Sequence, residues 1–274
     1  MVPVYKIGKG EMTMKKRILS VLLAIAMTLC FAGCNNADPA TILQNAIDKT
    51  QALASMENEV AMTVKMDMGG MSMNVNADGN VKVKNDEKNP ALSSTISMSL
   101  FGQDMTINTT YLDGYYYLDA AGVKAKAPME YAELKKTGQN LADMVNEMNI
   151  DPKELGELEA KAEGDEMVYT FTADGDIAQG YVDAMMGLLG GTGDTGDIKI
   201  DSVSGSLAVD KDGYLSKQKY TFAFTAEAEG QSVDYEMTME CTLKNPGEEV
   251  SITIDDPDSY QEVDAGTLLG ASAL

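Results

Sequence analysis

The stretch VAMTVKMDMGGMSMNVNA, Val60 to Ala77, decides the fold. Apolar residues hold every second position on the way up (Val60, Met62, Val64, Met66, Met68). After Gly69-Gly70 the parity switches, and Met71, Met73, Val75 and Ala77 do the same on the way down. A period of two marks a strand with one apolar face, and Gly-Gly between two such runs marks a two-residue hairpin. That turn sets Met68 opposite Met71, Met66 opposite Met73 and Val64 opposite Val75. The apolar residues then form one stripe on one side of a sheet. A slip of one residue would turn the stripe into water, so the register is strongly specified.

The same alternation continues outward. Asp78-Gly79-Asn80 predicts a three-residue turn into Val81–Lys84. Leu92, Ser94, Ile96, Met98 and Leu100 form the next strand, Gly102-Gln103 turns the chain, and Met105, Ile107, Thr109 and Tyr111 return on matching parity. Asp113-Gly114 is a type I′ signal, leading into Tyr115-Tyr116-Tyr117-Leu118 and a last strand near Val123 to Lys126. Ahead of these strands, Asp38-Pro39 opens an amphipathic helix to about Ser55, with Asp at N-cap and Pro at N1. Beyond Pro128, helices are predicted at about 130–149, from Asp151-Pro152 and at 176–189, with a strand through Met167, Tyr169 and Phe171. From Ile198 the alternation resumes: Leu207 and Val209, a turn at Asp212-Gly213, then Tyr220, Phe222, Phe224 and Ala226. A turn at Glu229-Gly230 sets Phe224 opposite Tyr235 and Phe222 opposite Met237. Val250, Ile252 and Ile254 read as a final strand.

The fold class expected is α+β: a large curved antiparallel sheet, an open half-barrel of about 10–11 strands in two similar meanders, covered on one face by helices. One domain spans 39–260, as a meander at 57–127, a helical insertion at 129–190 and a meander at 198–254. The two meanders share a pattern of strand, Asp-Gly, strand and Gly-Gln, which suggests an internal duplication. Residues 261–274 are expected to form a flexible tail.

The N-terminus carries an address. Met14-Lys15-Lys16-Arg17 is basic, Ile18 to Phe31 is apolar, and Ala32-Gly33-Cys34 closes the run. This is an export signal, too short to span a bilayer comfortably. Residues 1–33 are read as signal peptide with an N-terminal extension, Cys34 as the lipidation site, and 34–38 as a lipidated tether. Five of the 21 Lys and Arg and one of the 43 Asp and Glu precede Cys34, which leaves the mature chain at a net charge of −26. Such a surface repels phosphate backbones, so nucleic acid is not expected as a partner. Membrane residence must then come from the lipid, for which a two-chain anchor suffices.

What the sequence lacks narrows the chemistry. Beyond Cys34 it has no His, Arg or Trp, and Cys241 is its only cysteine. Histidine-assisted nucleophiles and the usual zinc, copper and iron ligand sets are therefore missing, as is the bidentate clamp for phosphate. No enzyme activity, catalytic residue, metal or cofactor is expected.

The layout resembles a known family. Cys34 after Ala-Gly, the helix after it, two antiparallel meanders and a helical insertion look like LolA, LppX and LprG-type envelope lipoproteins. MTVKMDM and YLDGYYYLD are similar to uncharacterised lipoproteins of Gram-positive gut bacteria. The resemblance implies a half-barrel wrapped over helices with an apolar cavity able to hold acyl chains, and it implies no catalytic motif.

The residues expected to line such a cavity are Val60, Met62, Val64, Met66, Met68, Met71, Met73, Val75, Met98, Met105, Ile107, Phe222, Phe224, Tyr235 and Met237. Unbranched thioethers suit varied apolar partners, yet an apolar strand face covered by helices is also what plain core looks like. Two functions stand from the sequence. One is a membrane-anchored extracytoplasmic lipoprotein binding a lipid or other apolar ligand between sheet and helices. The other is an envelope sensor or scaffold that binds another protein and has no ligand cavity.

Overall fold

The computed structural model describes residues 38–86, 88–100, 103–136, 151–173, 179, 198–228 and 231–272. After α1 (Pro39–Gln51), the opening stretch forms β1 (Ser55–Met68) and β2 (Met71–Lys84). At 14 residues each, these strands run to roughly 46 Å, longer than most in globular proteins. Gly69 (φ 57°) and Gly70 (φ 93°) make the turn between them, where two positive φ angles favour glycine. The pairs Met68–Met71, Met66–Met73 and Val64–Val75 face each other as the sequence requires.

The chain then adds β3 (Ala91–Leu100), β4 (Gln103–Leu112), β5 (Tyr115–Ala120) and β6 (Val123–Pro128) in succession. Asp113 and Gly114, both at positive φ, turn β4 into β5. After α2 (Tyr131–Lys136) come β7 (Glu159–Glu163), β8 (Glu166–Ala173), β9 (Ile198–Asp210), β10 (Leu215–Ala228) and β11 (Gln231–Lys244). Pairing of β11 with β1, Met239 opposite Met62 and Met237 opposite Val64, joins the two meanders into one open, curved, mostly antiparallel sheet. It has twelve strands in the order β12-β6-β5-β4-β3-β2-β1-β11-β10-β9-β8-β7, where β12 is Gln261–Glu262. Its first and last strands do not meet.

Several expectations need correction. Asp78-Gly79-Asn80 is no turn. Gly79 lies inside β2, paired with Val60 on one side and Ile96 on the other, so two neighbouring strands hold extended a dipeptide that would turn in isolation. A Cβ at Gly79 would stand 2.9 Å from the Thr95 carbonyl oxygen, so the glycine admits β3 at close range. This removes one Asp-Gly turn from the proposed duplication, since of Asp78-Gly79 and Asp212-Gly213 only the second turns the chain. The helix expected from Asp151-Pro152 is a set of turns, closed by the Asp151 carboxylate accepting from the Lys153 N–H at 2.9 Å.

Val250, Ile252 and Ile254 form no strand. Both sides of β1 are already occupied, and the chain goes on to the edge at β6, where β12 pairs in parallel through Gln261–Ala125 and Glu262–Lys126. A helix, α3 (Ala265–Ser272), follows, so the segment expected to be a flexible tail docks. Asp264 accepts from the Thr267 N–H at 2.9 Å, a cap that starts α3. The helices expected at 130–149 and 176–189 lie outside the described residues except for α2 and Gln179, as do Cys34 and the signal segment.

Alternation gives the sheet two chemically different faces. The outer face carries cross-strand ion pairs such as Lys217–Glu240 at 3.2 Å and Lys244–Glu59 at 2.8 Å. The inner face holds the core, and each helix inserts an anchor into it: Leu43, Ala46 and Ile47 from α1, Leu134 from α2 and Leu268 from α3. Among the described residues, no helix is long and apolar enough to cross a membrane.

Candidate functional site: the apolar inner face

The inner face is graded along the strands. At the end where α1 crosses, Val60, Val64, Val81, Val83 and Leu92 are buried, with Phe222, Met237, Met239 and Cys241 across the β1–β11 junction. Two contacts fix α1 there. Thr50 Oγ1 accepts from the Leu215 N–H at 2.9 Å, and the Lys49 ammonium reaches the Asp212 carbonyl oxygen while lying 4.3 Å over the Tyr214 ring. The helix is thus tied to the β9–β10 turn. Sequence periodicity marks the apolar side of α1 but carries no sign of these polar ties, which join residues more than 160 positions apart.

Aromatic rings floor the second meander. Phe171 meets Tyr220 edge-on at 5.9 Å, Tyr220 stacks near Phe222 at 6.3 Å, and Phe224 stacks on Tyr235 at 4.9 Å. Gly205 sits where Phe171 lies across β9, opposite both Phe171 and Tyr220 in register. On the other side of the sheet, Tyr260 packs edge-on against Tyr117 at 5.2 Å, while Tyr116 belongs to the inner core.

Toward the hairpin tips burial declines. Of the expected lining residues, Val60, Val64, Phe222, Phe224 and Met237 are buried. Met62, Met66, Val75, Met98, Met105, Ile107 and Tyr235 are half-buried. Met68, Met71 and Met73 are 40%, 69% and 38% exposed. The stripe is therefore continuous in register, and its tip is its most exposed part. Ile198 and Ile200, which the sequence reading did not single out as lining residues, extend the half-buried band across the second meander.

This face offers apolar contact and little else. Cys241 is unbridged and buried, and burial pushes its thiol up to about 12, which leaves it protonated and unreactive at neutral pH. Burial, with the Glu130 carboxylate nearby, also raises Tyr111 above the usual phenol range. Among the described residues, no group of three or more His, Cys, Asp or Glu could hold a metal ion. Two depressions lie off the inner face. One, of about 490 Å³, is at the strand ends around Lys84, Leu112 and Ile252. The other, of about 280 Å³, is bordered by outward-facing Glu59, Asp78 and Glu240.

No curated protein matches the chain. Among solved structures it is similar to LprF from Mycobacterium bovis, with 14% identity, 78% of this chain and 95% of that one covered, and a TM-score of 0.37. A DUF1329 family protein from Desulfovibrio piger matches at 12% identity over 79% and 96%, with a TM-score of 0.22. The ywiB protein from Bacillus subtilis matches at 8% over 70% and 96%, with a TM-score of 0.20. A family model covers residues 38–258, nearly all of the described fold, and the chain belongs to that family, DUF6612, a family of unknown function.

Proposed function

We propose that this protein is an extracytoplasmic lipoprotein, held at the membrane through Cys34, whose inner sheet face binds a lipid or another apolar ligand. The observation that carries the reading is the half-buried band of Met62, Met66, Val75, Ile107, Ile198, Ile200 and Tyr235, which continues the buried core toward the hairpin tips. Flexible thioethers and flat rings on a concave, uncharged surface suit a ligand with no fixed shape, such as an acyl chain. The basic start, apolar run and Ala-Gly-Cys of the N-terminus support the address.

Native mass spectrometry of the protein purified from membranes in mild detergent tests the ligand. Lipid adducts are expected, and their consistent absence would sink the proposal. Labelled palmitate tests the anchor: it should attach to the wild type and not to Cys34→Ser, and equal labelling of both would exclude Cys34.

A second reading, a scaffold that binds another envelope protein, is favoured by the exposed Met68, Met71 and Met73. It predicts a lipid-free protein that retains a partner on mild crosslinking.

A further inference from the structure

We propose that the tip of the β1–β2 hairpin is a thioether site for a soft monovalent cation, Cu(I). Four methionines meet there. Met66 and Met68 on β1 pair in register with Met73 and Met71 on β2, so all four project from one face. Opposed backbones in such a ladder stand about 5 Å apart, and same-face neighbours along a strand are roughly 7 Å apart. Each sulfur lies at the end of a flexible, unbranched side chain, so three or four can converge on one ion. Among the described residues, nothing lies within 4 Å of a Cβ placed at Gly69 or Gly70. In the described register β3 begins its pairing at Asn76, so the strand positions of Met71 and Met73 lie beyond it.

Residue choice points to sulfur and not to size. An apolar position on a strand is best filled by a β-branched or aromatic residue, and the buried end of this hairpin carries four valines, Val60, Val64, Val81 and Val83, against one methionine, Met56. The exposed end uses methionine at all four positions, where packing accounts for none of Met68, Met71 or Met73. Thioethers are soft, uncharged ligands that select Cu(I), whereas Zn²⁺ and Ca²⁺ require imidazole, thiolate or hard oxygen. The surroundings favour a cation, since exposed Asp67 stands opposite exposed Asp234 on the other face of the same strand end.

A thioether carries no proton, and this gives the site a signature. Carboxylate, thiol and imidazole sites lose metal as pH falls because protons compete; this one should not. The test uses the full chain with Cys30→Ser and Cys34→Ser, which leaves one thiol, Cys241, buried in the core and held protonated; the fourfold methionine variant keeps that thiol and so controls for it. Cu(I), kept reduced by ascorbate, is offered in competition with a coloured chelator. One Cu(I) per chain is expected, with equal affinity at about pH 5.5 and about pH 7.5. Met71→Leu, a volume-conserving change, should weaken binding by roughly tenfold or more, and Met66→Leu/Met68→Leu/Met71→Leu/Met73→Leu together should abolish it. An apolar role would survive leucine, so a ligand-binding function and this site can fail separately. Retention of Cu(I) by the fourfold variant, no competition by the parent, or affinity that falls with pH would overturn the proposal. If the fourfold variant does not fold, X-ray absorption of the parent decides: sulfur-only ligation supports the site, and nitrogen or oxygen ligands overturn it.

Discussion

Gly205 shows how one missing side chain holds a sheet together. A Cβ there would press on the Lys219 carbonyl oxygen and stand 2.6 Å from Phe171 Cζ, so an aromatic ring takes the space a side chain would fill. Gly205→Ala must displace backbone or ring and should cost about 1–3 kcal/mol, as overpacking of a filled site does; a urea midpoint equal to wild type would contradict this packing. Cys241 makes a second prediction at the same scale. Its thiol is raised from 9.0 to about 12 by burial, so above pH 9 the unfolded chain loses a proton that the folded chain keeps. The unfolded state then binds fewer protons, and stability falls as pH rises from about 9 toward 12. Cys241→Ala should flatten that decline in denaturation midpoints measured across the window. At neutral pH, Cys241 should resist alkylation until the protein is unfolded.

At the scale of elements, what could be read in the sequence was what neighbours along the chain decide. The register Met98–Met105 and Ile96–Ile107 follows from parity and one short connection, as does Phe224–Tyr235. Gly79 was misread because its conformation is set by β1 and β3, which close on it from either side. β7 was missed because Glu159-Ala160-Lys161-Ala162-Glu163 offers only the small methyls of Ala160 and Ala162 on its one apolar face and owes its strand form to β8. The C-terminal segment was misread for the same reason: what docks it is Ala125, Lys126 and Tyr117, more than 130 residues earlier. The parity that puts the candidate lining residues of each strand on one face is seen in the register, but how deeply each is covered depends on what packs over the sheet, and parity says nothing of that. Leu268→Ala removes a side chain of α3 that is only 1% exposed and should cost about 2–5 kcal/mol. A frayed tail would lose nothing in the same denaturation experiment.

For the whole molecule, charge is the dominant long-range term. The nine ion pairs found among the described residues are largely solvent-exposed and contribute little each. The chain as a whole carries a net charge of −22, and self-repulsion of that size opposes compaction. Added salt screens it, so the melting temperature should rise between low and physiological ionic strength, and a flat or falling trend would mean that local pairs outweigh the net field.

The flanks of the open sheet are guarded unequally. One side ends in β7, five exposed residues of alternating Glu, Ala and Lys, whose charges discourage another backbone from aligning there. The other side relies on Gln261 and Glu262 lying along β6. Proteolytic clipping just before that dipeptide would uncover an unpaired row of amides and carbonyls, and the trimmed chains would then be prone to stack flank to flank into dimers or fibres.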